Sequence, residues 1–312
     1  MCRPGSLRGA GPAGGGRPAP GGPRGRHPLV VSAGRRPGRQ TGAVPRETTV
    51  PSGYVEWPSA PPRRRYVACT WMGGGDSDRS ESEPVLPDGC MDIIWNGDRL
   101  FVAGPDTVPN RSGAGGQFAV GLRFRPGTGP LFLDVPAVEL RDQRVDLRVL
   151  WPEADGVADE MAGCASRRRA AAVLERRVAG RLPEVGDPDP LVEAAANLWR
   201  EAREPVTTAE LARRAGVSER HLHRRFLPAV GYGPKLLQRV LRLQTFLTSC
   251  RDPGASLAGL ATRAGFADQA HLSRETRALA GLTPAELRAA RMDVRNVQDA
   301  ACRDQLQRRG DN

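Results

Sequence analysis

The sequence is short of lysine, histidine and aromatic residues, and it contains no long apolar run. One lysine (Lys235) stands among 46 basic residues, there are four histidines, and Phe, Trp and Tyr together make up 5% of 312 residues. No stretch approaches the roughly 18 consecutive apolar residues that a membrane-spanning helix needs, so an integral membrane protein is not expected. The first 30 residues lack the apolar centre of a secretory leader, and a cytoplasmic location is the expectation. Six cysteines (Cys2, Cys69, Cys90, Cys164, Cys250, Cys302) include no CxxC pair, which argues against both a disulfide framework and a zinc site. The patterns GxSxG, GxxxxGK(S/T) and HExxH do not occur, and three of the histidines (His221, His223, His271) fall in the C-terminal third. Neither catalytic residues, a metal nor a cofactor is expected.

What the sequence does have is arginine, unevenly placed. Residues 1–65 carry 12 Arg against 2 acids, and residues 66–204 carry 16 Arg against 23. Residues 205–292 carry 13 Arg plus Lys235 against 6 acids, and 293–312 balance at 4 and 4. Two basic regions therefore bracket an acidic middle. A basic helical segment beside an acidic domain points to nucleic acid more specifically than net charge does.

Residues 1–53 are rich in Gly, Pro and Arg and bury too little apolar surface to offset their conformational entropy; a disordered tail is predicted. Such a tail is either a loose grip on nucleic acid or a solvated extension. Over 54–150, short apolar runs alternate with turn formers: YVACTW (66–71), CMDIIW (90–95), RLFVAG (99–104), QFAVGLRFR (117–125) and LFLDV (131–135). CMDIIWNGDRLFVAG reads as a hairpin, with Asn-Gly supplying the positive φ of a tight turn. This predicts a β-rich domain. Within it, Asp88, Asp92, Trp95 and Arg123, with Cys90 between the two acids, make a candidate ligand pocket. The same residues read equally as alternate positions of a strand, with Asp88-Gly89 in a turn and Trp95 in the core. Cys90 is followed by Met and Asp, which would not depress its pKa. Residues 151–204 read as a helical segment and linker, with LPEVGDPDP (182–190) as the break.

Residues 205–292 hold an internal repeat of about 50 residues. TTAELARRAGVSERHLHRRFLPAVGYGPKLLQR and SLAGLATRAGFADQAHLSRETRALAGLTPAELR align with one insertion. Leu211-Ala212 falls on Leu260-Ala261, Ala215-Gly216 on Ala264-Gly265, Leu222 on Leu272, Arg224 on Arg274, Gly231 on Gly281 and Pro234 on Pro284. Each copy reads as helix, glycine turn, helix. Thr208 is expected to cap the first helix, whose apolar face is Leu211, Ala212 and Ala215, and Ser218 the second. Leu222 and Phe226 share the buried face of that second helix, while Arg220, His223 and Arg224 share the outer one. In the second copy, Ala267 or Asp268 opens the helix, and Gln269, Ser273 and Arg274 are the outward polar residues. Such donors suit major-groove reading: Arg for guanine, Gln for adenine. Between the copies, residues 234–250 form a predicted amphipathic helix that would hold two units at a fixed separation.

These repeats resemble the C-terminal DNA-binding domain of the AraC/XylS family of bacterial transcription regulators. GFADQAHLSRETRALAGLTPAELR is similar to the family's second-unit signature and ARRAGVSERHLHRRF to its first. The resemblance places base reading on Arg220, His223 and Arg224, and on Gln269, Ala270 and Arg274. Ala270 has no hydrogen-bonding side chain, and Thr276 stands where the family usually has an aromatic, so weaker reading and looser packing are expected of the second unit. Phosphate candidates are Arg213, Arg214, His221, Arg225 and Arg239. VLPDGCMDIIWNGDRLFVAGPDT resembles N-terminal domains attached to some regulators of this type, which implies a sensory or dimerising module. The expected chain is thus α+β and multidomain: a β-rich domain followed by an all-α tandem helix-turn-helix domain (205–292) and a tail (293–312). Double-stranded DNA, a small-molecule effector, a second copy of the chain and RNA polymerase are the partners that the resemblance implies. An enzyme with accessory DNA binding and a non-specific binder using the basic tail are the rival readings.

Overall fold

The computed structural model describes residues 54–73, 84–110, 118–201, 206–250, 252 and 254–290. The expected tails over 1–53 and 293–312 lie outside them. Six strands form one antiparallel sheet: β1 (Val55–Pro58), β2 (Val67–Gly73), β3 (Met91–Trp95), β4 (Leu100–Ala103), β5 (Ala119–Phe124) and β6 (Arg144–Asp146). Their order is β1-β2-β5-β3-β4-β6. The expected hairpin joins β3 to β4. Gly97 takes φ +93°, and Asn96 Oδ1 accepts from the amides of Asp98 (3.2 Å) and Arg99 (3.0 Å).

Strand alternation sorts the two faces. Met91, Ile93 and Trp95 of β3, Leu100 and Val102 of β4, and Val120, Leu122 and Phe124 of β5 are all buried on one face. Helices α3 (Ala154–Ala162) and α4 (Arg167–Arg181) close that face with Val157, Met161, Ala171, Leu174 and Val178. Each fully buried Leu, Val or Phe contributes about 1.5–3 kcal/mol. The first part of the 151–204 helical segment therefore shares the core of the sheet.

One expected strand is absent. LFLDV (131–135) lies largely in a helix, α1 (Gly129–Leu133), followed by α2 (Ala137–Leu140). Pro130 presets helical φ in the first turn. Asp134 ends the helix in the left-handed region (φ 53°), its amide donating to the Pro130 carbonyl at 3.0 Å. Phe132 and Leu133 enter the core, where the Phe132 carbonyl accepts from the buried Trp151 indole at 3.0 Å. β1 and β6, four and three residues long and without a buried residue, were too short and too exposed to show an apolar alternation.

The remaining helices are α5 (Pro190–Glu201), α6 (Thr208–Arg214), α7 (Glu219–Val230), α8 (Pro234–Ser249), α9 (Leu257–Arg263) and α10 (Gln269–Ala280), with residues 284–290 also helical. Two cores lie along α8. Leu237 and Leu241 join Ala195, Ala196, Trp199, Leu211, Leu222 and Phe226 in the first. Val240, Leu243, Phe246 and Leu247 join Leu260, Phe266, Leu272 and Leu279 in the second. The predicted amphipathic helix is therefore the shared spine of both units.

The sheet domain is docked on the first unit. A Cβ added to Gly231 would lie 2.7 Å from Pro105 Cγ and 3.0 Å from the Ala137 carbonyl oxygen, and the residue has φ +90°. Both the close approach and the left-handed backbone at the end of α7 require glycine there. Gln244 on α8 donates to the Pro87 carbonyl at 2.7 Å, and Leu86 packs against the second core.

Candidate nucleic-acid interface

The two units are built alike from local rules. Thr207, rather than the expected Thr208, caps α6, accepting from the Glu210 amide at 3.1 Å. Thr208 sits one residue inside the helix and is buried. Ser256 caps α9 in the same way. Ala215, expected on the apolar face, is the exposed C-cap residue of α6, because the chain turns away there into Gly216. Gly216 (φ +67°) and Gly265 (φ +77°) make the turns. Ser218 caps α7 through the His221 amide (3.1 Å), and Asp268, not Ala267, caps α10 through the His271 amide (2.6 Å).

On α7, Leu222 and Phe226 are fully buried while Arg220, His223 and Arg224 are exposed. Arg224 Nη2 lies 3.2 Å from the Nδ1 of half-buried His221, which props the guanidinium outward. The His223 ring rests on Gly233, where an added Cβ would come within 2.6 Å of the ring. On α10, Gln269, Ala270 and Arg274 are exposed, and Ser273 turns its hydroxyl back to the Gln269 carbonyl at 2.9 Å. Thr276 is fully buried, its hydroxyl donating to the Ser273 carbonyl at 3.3 Å. The second core takes its aromatic from Phe266 in the turn instead, edge-on to His271 at 5.4 Å.

The phosphate candidates divide. Arg213 and Arg214 both bind Glu210 at 2.6 Å and remain largely exposed. Arg225 turns back to Asp189, whose other oxygen caps α5 through the amides of Leu191 (3.0 Å) and Val192 (3.3 Å). Arg239 bridges α8 to Glu275 on α10 at 2.7 Å. These last two arginines therefore hold helices together.

The sheet carries the candidate pocket residues on different faces. Asp92 and Arg123 are register partners on β3 and β5, joined by two hydrogen bonds of 3.1 Å, with Asp88 3.4 Å from Arg123. Against the lowering effect of burial, the carboxylates of Asp92 and Asp88 hold Arg123 well above its ordinary pKa. Trp95 does not join them. It lies on the core face, 5% exposed and edge-on to Phe118, because it is an odd number of residues from Asp92. Its place is taken by Trp71, whose indole donates to Asp92 at 2.9 Å and lies where a Cβ on Gly121 would be, 2.2 Å away. No spacing rule linked Trp71 to β3; only the register of β2 on β5 brings it there. Burial pushes the Cys90 thiol well above its ordinary value. Among the described residues no group of histidine, cysteine and acidic side chains could hold a metal ion, and no helix is long and apolar enough to cross a membrane.

Tandem helix-turn-helix units, with outward Arg and His on the second helix of the first and outward Gln and Arg on that of the other, define a DNA-binding transcription regulator. The C-terminal domain is of the AraC type: residues 211–290 match the family model described as a helix-turn-helix domain. Residues 56–146 match a second model, described as a domain of unknown function (DUF6597). No curated protein matches the sequence. Solved structures with some likeness include ToxT from Vibrio cholerae O395 (10% identity, 70% of this chain and 95% of that one, TM-score 0.38). Unsaturated fatty acid-bound wild-type ToxT from V. cholerae strain SCE256 has 11% identity over 66% and 89%, with a TM-score of 0.38. ToxT from V. cholerae O395 bound to (E)-4-(8-methylnaphthalen-1-yl)but-3-enoic acid has 10% identity over 71% and 97%, with a TM-score of 0.38.

Proposed function

We propose that the protein recognises specific DNA sequences by inserting α7 and α10 into successive segments of the major groove. Arg220, His223 and Arg224 read the first segment, and Gln269 and Arg274 the second, while Ala270 contributes at most an apolar contact. The observation that carries this reading is the division of each second helix into a face sunk in its own core and a face of exposed donors. Among the described residues Arg220 and Arg274 have no hydrogen-bond or ion-pair partner. Arg213, Arg214 and His221 supply phosphate contacts, which position without reading sequence. Arg225 and Arg239 act instead through the helix contacts they already make. The sheet domain conveys a signal, from a small molecule or a second copy of the chain, through its docking on α7.

Selection from random duplex DNA tests the proposal. Wild-type protein is expected to enrich a bipartite site with half-sites about one helical turn apart. Enrichment of no sequence, or affinity that survives deletion of residues 205–292, would reject it.

A further inference from the structure

We propose that a cleft between the sheet domain and α5 binds a small organic anion through Arg64, Arg125 and Arg200. The cleft has a volume of about 430 Å³, within the range of small-molecule sites. One wall comes from the loop between β1 and β2 and the loop after β5, and the other from α5, which packs in the core of the first helix-turn-helix unit.

Its charges do not cancel. Asp189 is engaged by Arg225, and Glu193 lies 3.5 Å from Arg65, which also pairs with Asp187. Among the described residues, Arg64 and Arg125 make hydrogen bonds only to carbonyls, of Ser59 at 3.4 Å and of Arg64 at 2.7 Å. Arg200 has no partner among the described residues. Three guanidinium groups thus line the cleft without a carboxylate hydrogen-bonded to them among the described residues, and Glu193 acts on Arg125 more weakly than Arg200 and Arg64 do. Burial, and then the nearby Arg200, lower the Arg125 pKa, the signature of a cation held beside others. Guanidinium forks match the paired oxygens of a carboxylate or phosphate. Pro62, Pro126 and Val192 supply apolar wall, so the ligand is an anionic head on an apolar or planar body.

The position gives the site a regulatory consequence, which rests on the proposed DNA reading. Val192 lines the cleft and lies in the first core. Asp189 lines it too, and holds Arg225 of α7. An anion bridging Arg125 to Arg200 would fix α5 against the sheet, and with it the setting of the first recognition helix.

Calorimetry on the full chain without DNA tests the binding, with phenyl phosphate, benzoate and inorganic phosphate as probes. Saturable binding of phenyl phosphate or benzoate at millimolar concentration is expected, and the tighter of the two identifies the head group. Inorganic phosphate, lacking the body, is expected to bind more weakly. Arg200→Gln, on an exposed side chain, is expected to weaken binding by about tenfold, the loss of a charge-assisted hydrogen bond; Arg125→Ala provides a second variant. Absence of saturable binding by both aromatic anions, or binding unchanged in Arg200→Gln, overturns the proposal. Gel shifts with and without the bound anion separate the two claims. Loss of DNA binding at every anion concentration counts against the DNA reading, whereas calorimetric binding with unaltered DNA affinity removes only the regulatory coupling.

Discussion

Arg224 and Arg213 lie on neighbouring helices of one unit, yet they are expected to behave differently on DNA. Arg224→Ala should weaken binding to a selected site by about 1–3 kcal/mol and relax the preference at one base pair. Arg213→Ala should weaken binding to all sequences alike and lower the salt slope by about 1. Gel-shift titrations on specific and scrambled duplexes at several salt concentrations distinguish the two; equal losses on both duplexes for Arg224→Ala would remove it from the reading set. Thiol chemistry offers a second residue-level check on the sheet domain. Burial pushes the Cys69 thiol up to about 12 from an ordinary 9.0. The folded state thus favours the neutral thiol, and its contribution to stability is present below pH 9 and is lost as pH rises toward 12. Denaturant melts across that window should show falling stability, and Cys69→Ser should flatten the fall; an identical pH profile in the variant would contradict the assignment.

Element by element, capping and core residues set the stability of the recognition helix. Ser218→Ala should cost about 1 kcal/mol by leaving the His221 amide without its cap, and Phe226→Ala about 3–5 kcal/mol by opening a cavity. Urea melts would check both, and a Phe226→Ala loss no larger than that of Ser218→Ala would contradict the core assignment. These helices were legible because their signals are local: Ser218 and Asp268 stand where caps belong, the Gly216 and Gly265 turns recur in the repeat, and Leu222 and Phe226 are four apart. The Thr208 expectation failed by a single residue because two adjacent threonines can each cap, and only the backbone decides between them. LFLDV failed because a five-residue apolar run has no period that separates helix from strand. Asp92 and Arg123 meet as an ion pair across β3 and β5, and both that pairing and the tryptophan that joins it depend on strand register. The arginine cleft was invisible for the same reason: Arg64, Arg125 and Arg200 are distant in sequence and meet only when α5 packs beside the sheet.

Across the whole molecule, the sheet domain and the first helix-turn-helix unit are expected to respond together. Gly231→Val places a branched side chain against Pro105 and the Ala137 carbonyl in a backbone region that such residues avoid. It should lower stability and change the DNA affinity of the first half-site more than that of the second. Loss of both half-sites in equal measure would contradict coupling of the sheet domain to the first unit through α7.

Hydroxyl-radical footprinting on a selected duplex tests the two-groove account most directly. Two protected patches on one face of the DNA, with centres about 34 Å apart, are predicted, and Arg274→Ala should erase the second while leaving the first. A single patch, or two patches on opposite faces, would contradict it.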